Sequence, residues 1–408
     1  LFKPLVINKA PFSEEPDVNK PSRFRPNPPH ATVTWLKPEL VCEVSFAELT
    51  SDGIMRHPSF DGMREDKSAK KVILEEETPT EKMVDDMEDK IVTPRVKGPR
   101  KTLLNPTDKT QVRKVNGHEL KFTNLDKVFW SKEGITKRDL INYYYQAAPF
   151  ILPYLKDRPQ SMNRFPNGIE GEGFYFKNVT DTAPEWAETY LYHSETDEKD
   201  RHYLVGKDEA TLLYMANLGC IEMNPWSSTV KKPENPSFCI IDLDPDKNSF
   251  DQVVEAAQVT KSILDDMGAT SYCKTSGSTG LHIYIPLGGK YTYEQSKEFA
   301  RVIVTLVHHE LPKFTSLERS IKDRKGKMYL DFLQNRPHAT IAAAYSVRPK
   351  PGATVSMPLH WDEVKKGLKI SDFHILNAIE RMQSEGDIFK PVLGKGINLK
   401  SIVDKYYK

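Results

Sequence analysis

The run Phe238-Cys-Ile-Ile-Asp-Leu-Asp-Pro sets two carboxylates, Asp242 and Asp244, at the end of an apolar stretch. Such a stretch reads as a buried strand, on which residues two apart share a face, so both carboxylates point at one spot. Paired negative charges there are costly unless a cation neutralises them, and hard oxygen donors suit Mg²⁺ or Mn²⁺. Asp-x-Asp on its own also opens turns and solvated edges. A second carboxylate source strengthens the metal reading: Met328-Tyr-Leu-Asp-Phe-Leu carries Asp331 inside another apolar strand, where an unpaired charge is expensive.

Between them lies Lys274-Thr-Ser-Gly-Ser-Thr-Gly-Leu-His-Ile-Tyr-Ile, a Gly-rich turn that feeds a strand rather than a helix. It is therefore neither a Walker loop nor a dinucleotide fingerprint. Its backbone N–H groups, the Ser276 hydroxyl and the His282 imidazole can cradle a triphosphate; a hairpin turn with a core histidine is the competing reading. Arg348, in Ala344-Tyr-Ser-Val-Arg-Pro, is suited to clamp the same phosphates, since guanidinium binds phosphate oxygens in bidentate fashion. Taken together these residues make a phosphoryl-transfer site in which metals bridge an attacking 3′-oxygen and a triphosphate.

The elements that must position them belong to a chain of 408 residues, enough for two or three domains. Hydrophobic residues are 38% and charged residues 28%, and no apolar run approaches the roughly 18 residues of a membrane span, so a soluble protein is expected. The start at Leu1 has neither the basic opening nor the apolar core of a signal peptide, which suggests a fragment of a longer cytoplasmic protein. A net charge of +1 excludes a polycation that coats nucleic acid, though not a local basic groove. Cys42, Cys220, Cys239 and Cys273 lack zinc-ligand spacing and are expected to be buried free thiols.

Three zones separate by pattern. Residues 1–67 alternate as short strands, as in Thr32-Val-Thr-Trp and Leu40-Val-Cys-Glu-Val-Ser-Phe; 68–111 read as a flexible charged linker; 112–408 mix strands and helices in a single α+β core. Helix starts are marked by Thr136-x-x-Asp139, by Ser249-x-x-Gln252 in a helix closing at Gly268, and by Thr292-x-x-Gln295 in one ended by Pro312. His308-His309, near the end of the third helix, point about 100° apart, so helix C-terminal placement explains them better than metal ligation.

With these motifs in place, residues from about 113 to 408 resemble the polymerase domain of the bacterial end-joining ligase LigD, in the archaeo-eukaryotic primase superfamily. The resemblance implies a primase-polymerase fold, with a central mostly antiparallel sheet flanked by helices. It implies Asp242, Asp244 and Asp331 as catalytic metal ligands for two divalent ions (Mn²⁺ or Mg²⁺), and an NTP or dNTP substrate contacted by Ser276, His282, Arg348, Arg164, Gln334 and Arg324. Phe122-Thr-Asn-Leu-Asp-Lys-Val-Phe-Trp and Ile135-Thr-Lys resemble the segment that recognises a DNA 5′-phosphate, implicating Asn124, Lys127 and Lys137. Lys137 falls in the first turn of a helix capped by Thr136, where free N–H groups and the dipole also favour an anion. Gly173-Phe-Tyr-Phe-Lys-Asn matches an aromatic pair that stacks on template bases, here Phe174 and Tyr175, with Phe176 read as core. The chain departs from the family pattern at Asn163, where a lysine is common, at Asn224, where many members have His, and at Thr279, where some carry Lys. 

Trp35–Lys67 resembles the tail of the ligase OB domain, an incomplete β segment, with Arg64, Asp66 and Lys67 as the ligase's last motif. Lys114-Val-Asn-Gly mimics a ligase nucleophile, but it follows the OB tail instead of preceding it, so ligation by this chain is not expected. By resemblance the activity is gap filling and end extension in nonhomologous end joining, with DNA and a Ku homodimer as partners in a bacterial, nucleoid-associated setting. A replicative or plasmid primase starting chains de novo is an alternative, disfavoured by the missing zinc motif. A non-catalytic DNA-end-binding module is another, and it would need no metal triad.

Overall fold

The computed structural model describes residues 2–12, 30, 32–45, 48–49, 55–56, 59–64, 69, 100–194 and 199–406. Asp66, Lys67 and residues 70–99 of the expected linker lie outside the described residues. The chain divides into two units, Leu1–Val92 with His193–Asp200, and Thr93–Tyr192 with Arg201–Lys408.

In the first unit, β1 (Val6–Ile7), β2 (Trp35–Leu36), β3 (Val41–Ser45), β4 (Glu48–Leu49), β5 (Met55–Arg56) and β6 (Ser59–Arg64) form antiparallel pairs: β1 with β2, β3 with β6, and β4 with β5. β3 falls within the alternating run Leu40–Phe46, whereas of Thr32-Val-Thr-Trp only Trp35 enters a strand. Cys42 on β3 is exposed, contrary to the expectation of four buried thiols; the other three cysteines are buried.

The second unit is already folded at Arg100, upstream of the boundary expected at 112. Arg100 Nη1 lies 2.8 Å from Glu209, and the Leu104 side chain is buried, with its N–H donating to Asn142 Oδ1 at 3.0 Å. Two leucines in a polar stretch show no period, which is why this anchor escapes a pattern search. β7 (Gln111–Val115) and β8 (His118–Phe122) form a hairpin across Asn116-Gly117, both at positive φ (48° and 89°). That is the backbone demanded by a tight Asn-Gly hairpin turn, and it accounts for Lys114-Val-Asn-Gly without any nucleophile. β9 (Val128–Trp130) and β10 (Ile135–Thr136) lead into α1 (Lys137–Leu155), whose capping box uses Thr136 and Asp139 as expected.

β11 (Arg158–Arg164), β12 (Phe174–Phe176), β13 (Thr189–Ser194), β14 (Lys199–Gly206) and, after α2 (Glu209–Asn217), β15 (Cys220–Pro225) make a five-stranded sheet in which β11 also pairs with β15. A second, six-stranded sheet is built from β16 (Phe238–Asp244), β17 (Tyr272–Thr275), β18 (Leu281–Pro286), β19 (Thr315–Ser316), β20 (Met328–Asp331) and β21 (Pro358–Leu359), in the order β19-β20-β16-β18-β17-β21. Its pairings are antiparallel except β19 with β20. The expected mostly antiparallel sheet is therefore present, and a second sheet stands beside it.

Helices α3 (Phe250–Met267) and α4 (Tyr293–Glu310) both open with the Ser249/Gln252 and Thr292/Gln295 capping boxes, and α3 closes on Gly268 in the left-handed conformation. Cys239 Sγ on β16 lies 3.5 Å from Ser296 O on α4, so the helices cover the face bearing Cys239, Ile241 and Leu243. By strand alternation the opposite face carries Asp242 and Asp244. Burying one face under two amphipathic helices fixes the register, since a one-residue slip would turn the carboxylates into that core.

Candidate functional site

Register brings the chemistry together. Asp242 on β16 faces Asp331 on β20 on one side and His282 on β18 on the other, and His282 faces Lys274 on β17. Directly opposed residues share a face, so Asp331, Asp242, His282 and Lys274 form a row across four strands. Asp244 lies two residues along the same face. His282 Nε2 is 3.5 Å from Asp242 Oδ1, Arg324 Nη1 is 3.1 Å from Asp244 Oδ2, and the Leu333 N–H donates to Asp331 Oδ1 at 2.7 Å. Asn335 holds the turn after Asp331 against β16, accepting from the Ile240 N–H at 2.8 Å and donating to Ile240 O at 2.6 Å.

The electrostatics follow from this crowding. Burial, then the charges of Asp331 and Asp244, push the Asp242 carboxyl up to about 8, and burial raises Asp331 as well. His282 is pushed well below the usual imidazole range by burial and by the positive charges of Lys274 and Arg348, so its ring is neutral. The donor set suits a divalent cation: facing carboxylates supply hard oxygens, and a cation relieves the repulsion that raises Asp242. Among the described residues no group of three or more His, Cys, Asp and Glu is gathered around one metal position; Arg324 pairs with Asp244 and His282 approaches Asp242.

A cleft of about 250 Å³ opens over this row, and its lining includes Asp242, Asp244, Ser276, His282, Gln334, Arg348 and Tyr175, together with Asn224 and Thr279. The Gly-rich turn roofs the end of β16: a Cβ on Gly280 would lie 2.0 Å from Leu243 O, which excludes any other residue there. The turn departs from expectation in one respect. The backbone N–H groups of Ser278, Thr279 and Gly280 all point inward to Ser276 Oγ at 3.0–3.1 Å, so they build the turn instead of facing a phosphate. Side chains are left to hold anions. Arg348 is oriented by Glu222, with Nε 2.8 Å from Oε2, and its Nη1 donates to Ser276 O.

Other expected site residues lie apart from the cleft lining. Arg164 does not line it: its Nε donates to Leu218 O, and its guanidinium lies over the Phe174 and Phe176 rings at 5.2 and 4.8 Å. Its charge acts instead on Lys137, whose ammonium burial, Lys127 and Arg164 together lower to about 8. Lys137 Nζ donates to Thr123 O at 2.9 Å and Lys127 Nζ to Asn167 Oδ1 at 2.6 Å, while Asn124 takes a positive φ of 54° in the loop that joins them. Mutually repelling cations at a helix N-terminus are the makings of an anion site. Phe174 and Tyr175 are exposed on β12, as stacking residues must be, and Phe176 is half-buried. His308 Nδ1 lies 2.9 Å from Thr315 Oγ1 in the last turn of α4, away from any ligand set.

Lys274, Glu222 and Asn335 were not singled out by sequence reasoning. Lys274 had a usable signal: strand alternation in Tyr272-Cys-Lys-Thr gives it the face opposite Cys273. The Glu222 and Asn335 contacts join segments too distant in sequence for spacing to reveal.

Comparison with known proteins bears on the same residues. The family description "LigD, primase-polymerase domain" matches residues 136–389, and "ATP dependent DNA ligase C terminal region" matches 3–67. The bifunctional nonhomologous end joining protein LigD of Bacillus subtilis is 36% identical over 270 residues, covering 66% of this chain and 43% of that protein. The multifunctional LigD of Pseudomonas aeruginosa is 27% identical over 364 residues, covering 89% of this chain and 40% of that protein. The chain thus spans less than half the length of these curated relatives. The solved polymerase domain of Mycobacterium tuberculosis ligase D, in complex with DNA, superposes with a TM-score of 0.63 at 25% identity, over 68% of this chain and 99% of that one.

Proposed function

The chain belongs to the LigD primase-polymerase family, and from that premise we propose that it is a nucleotidyltransferase that extends DNA 3′ ends at gaps and double-strand breaks during nonhomologous end joining. The observation that carries this reading is the cross-strand placement of Asp242 between Asp331 and His282, with Asp244 on the same face. Asp242, Asp244 and Asp331 would hold two divalent ions, Mn²⁺ or Mg²⁺, which when bound polarise the phosphoryl oxygens and activate the primer hydroxyl. His282 and Arg348 orient the triphosphate of an NTP or dNTP; Glu222 keeps the guanidinium aimed into the cleft. Ser276 acts by shaping the turn, and Gln334 by its place in the lining. Arg324 pairs with Asp244 at the edge of the carboxylate row. Tyr175, which lines the cleft and is exposed, offers a face for the template base, with Phe174 beside it.

At the N-terminus of α1, Lys127 and Lys137, with Asn124 and now Arg164, form the subsite for the downstream 5′-phosphate. Discrimination of a phosphorylated end then rests on these clustered cations. A Ku homodimer is the expected protein partner and the bacterial nucleoid the expected setting. The domain reading is 1–67 as ligase OB tail, 68–111 as linker and 112–408 as polymerase, with residues from Arg100 to Leu104 packed onto that last part. Primer extension on a gapped duplex, comparing phosphorylated with dephosphorylated downstream ends, tests the assignment. Lys127→Ala/Lys137→Ala should weaken binding to the phosphorylated gap more than to the other; equal losses would reduce these lysines to general backbone contacts.

A further inference from the structure

Glu222 and Arg348 form the ion pair that aims a guanidinium into the cleft, yet neither side chain stands on a regular run of strand. β11 meets β15 with Asn163 opposite Glu222 and Arg164 opposite Cys220, so Ile221 is an extra residue with no partner on β11. A bulge of this kind re-aims the side chains beside it and leaves backbone groups out of the ladder. Arg348 follows Val347, which meets Val355 in an isolated bridge. Two buried hydroxyls join these places. Tyr144, on α1, donates to Ile221 O at 2.5 Å and accepts the Val347 N–H at 3.1 Å. Ser346 Oγ accepts the Met223 N–H at 2.9 Å and lies 3.4 Å from the Tyr144 hydroxyl. Ile221 and Met223 flank Glu222 in the chain, and Val347 precedes Arg348, so each of these bonds reaches a backbone group one residue from the pair.

Resting on the polymerase reading above, we propose that Tyr144 and Ser346 are positioning residues of the triphosphate clamp. Their hydroxyls lock β15 to the segment bearing Arg348, so the guanidinium is aimed before a nucleotide arrives. An ion pair alone does not fix that aim, because both side chains are long and can meet across many backbone separations. With the backbone tied one residue from each partner, the pair has one place to form, and no binding energy is spent on orienting it later. Packing does not call for the hydroxyls, since phenylalanine and alanine fill nearly the same space with no oxygen to satisfy. A purely structural joint is the competing account, because both hydroxyls also satisfy buried backbone groups. The two accounts differ in what the nucleotide feels.

The test measures ATP affinity of the intact chain by isothermal titration calorimetry with Mg²⁺, beside KM and kcat in primer extension and stability by denaturant unfolding. Tyr144→Phe should weaken ATP binding and raise KM by about five- to tenfold, the scale of one buried hydrogen bond, with a smaller change in kcat. In an Arg348→Ala/Glu222→Gln background the same substitution should leave ATP affinity unchanged while costing the same stability, because the clamp it serves is already gone. Unchanged affinity and KM in Tyr144→Phe overturn the proposal, and so does an equal loss of affinity in both backgrounds, which is the mark of a structural joint. If Tyr144→Phe does not fold, Ser346→Ala is put through the same cycle and decides by the same outcomes. Extension by the unsubstituted chain is scored separately: no extension, with ATP affinity falling only where Arg348 is present, sinks the polymerase reading and leaves this one standing.

Discussion

Asp242 carries the strongest consequence at the scale of a single residue. Its carboxyl is held up to about 8 by burial and by its two acidic neighbours, so a divalent ion must displace a proton to bind. Because the folded value lies above the unfolded one, this group stabilises the metal-free fold at low pH, and that contribution is lost as pH rises through about 8. Thermal shift by Mn²⁺ should therefore be larger near pH 8 than near pH 6, levelling off above; a shift that does not change with pH would contradict the assignment. Arg348 and Glu222 make a second case. Glu222 is buried, and Arg348→Ala leaves its charge unpaired, which should cost about 3 kcal/mol of stability by denaturant unfolding. Adding Glu222→Gln should restore most of the stability but not nucleotide affinity, which separates the two roles of the arginine.

Among the elements, β12 and the start of α1 are the most exposed to test. Tyr175 is 58% exposed, so Tyr175→Ala should leave the melting temperature unchanged while weakening template binding by about 1–3 kcal/mol, measured by fluorescence anisotropy. A parallel fall in stability would return Tyr175 to the core. Much of this level was legible beforehand. Capping boxes at Thr136, Ser249 and Thr292 are local, and all three are found where the sequence placed them. The strand bearing Asp242 and Asp244 was equally readable, because an apolar run and its end are local features. What stayed hidden depends on pairing between distant segments. No spacing tells that Asp331 pairs with Asp242, that Glu222 orients Arg348 from 126 residues away, or that the charges of Lys127 and Arg164 act on Lys137. The inward-turned N–H groups of the Gly-rich turn were hidden for another reason: a serine two residues before them can cap a turn or face a ligand, and sequence does not choose.

At the scale of the whole molecule, the site's parts come from β11 to β20 and the segment through Arg348, all within the second unit. A chain beginning at Arg100 should therefore fold and extend primers as the full chain does, whereas one beginning at 112 loses the Leu104 and Arg100 anchors and should melt at a lower temperature. Equal melting of the two would remove those anchors from the fold's account. The central claim is that the aspartate row holds the metals for nucleotidyl transfer. It is tested most directly by primer extension on a gapped duplex bearing a 5′-phosphate, with Mn²⁺ or Mg²⁺, comparing the unsubstituted chain with Asp242→Ala/Asp244→Ala. Extension by the first and none by a folded second is the predicted result; equal extension by both would contradict it.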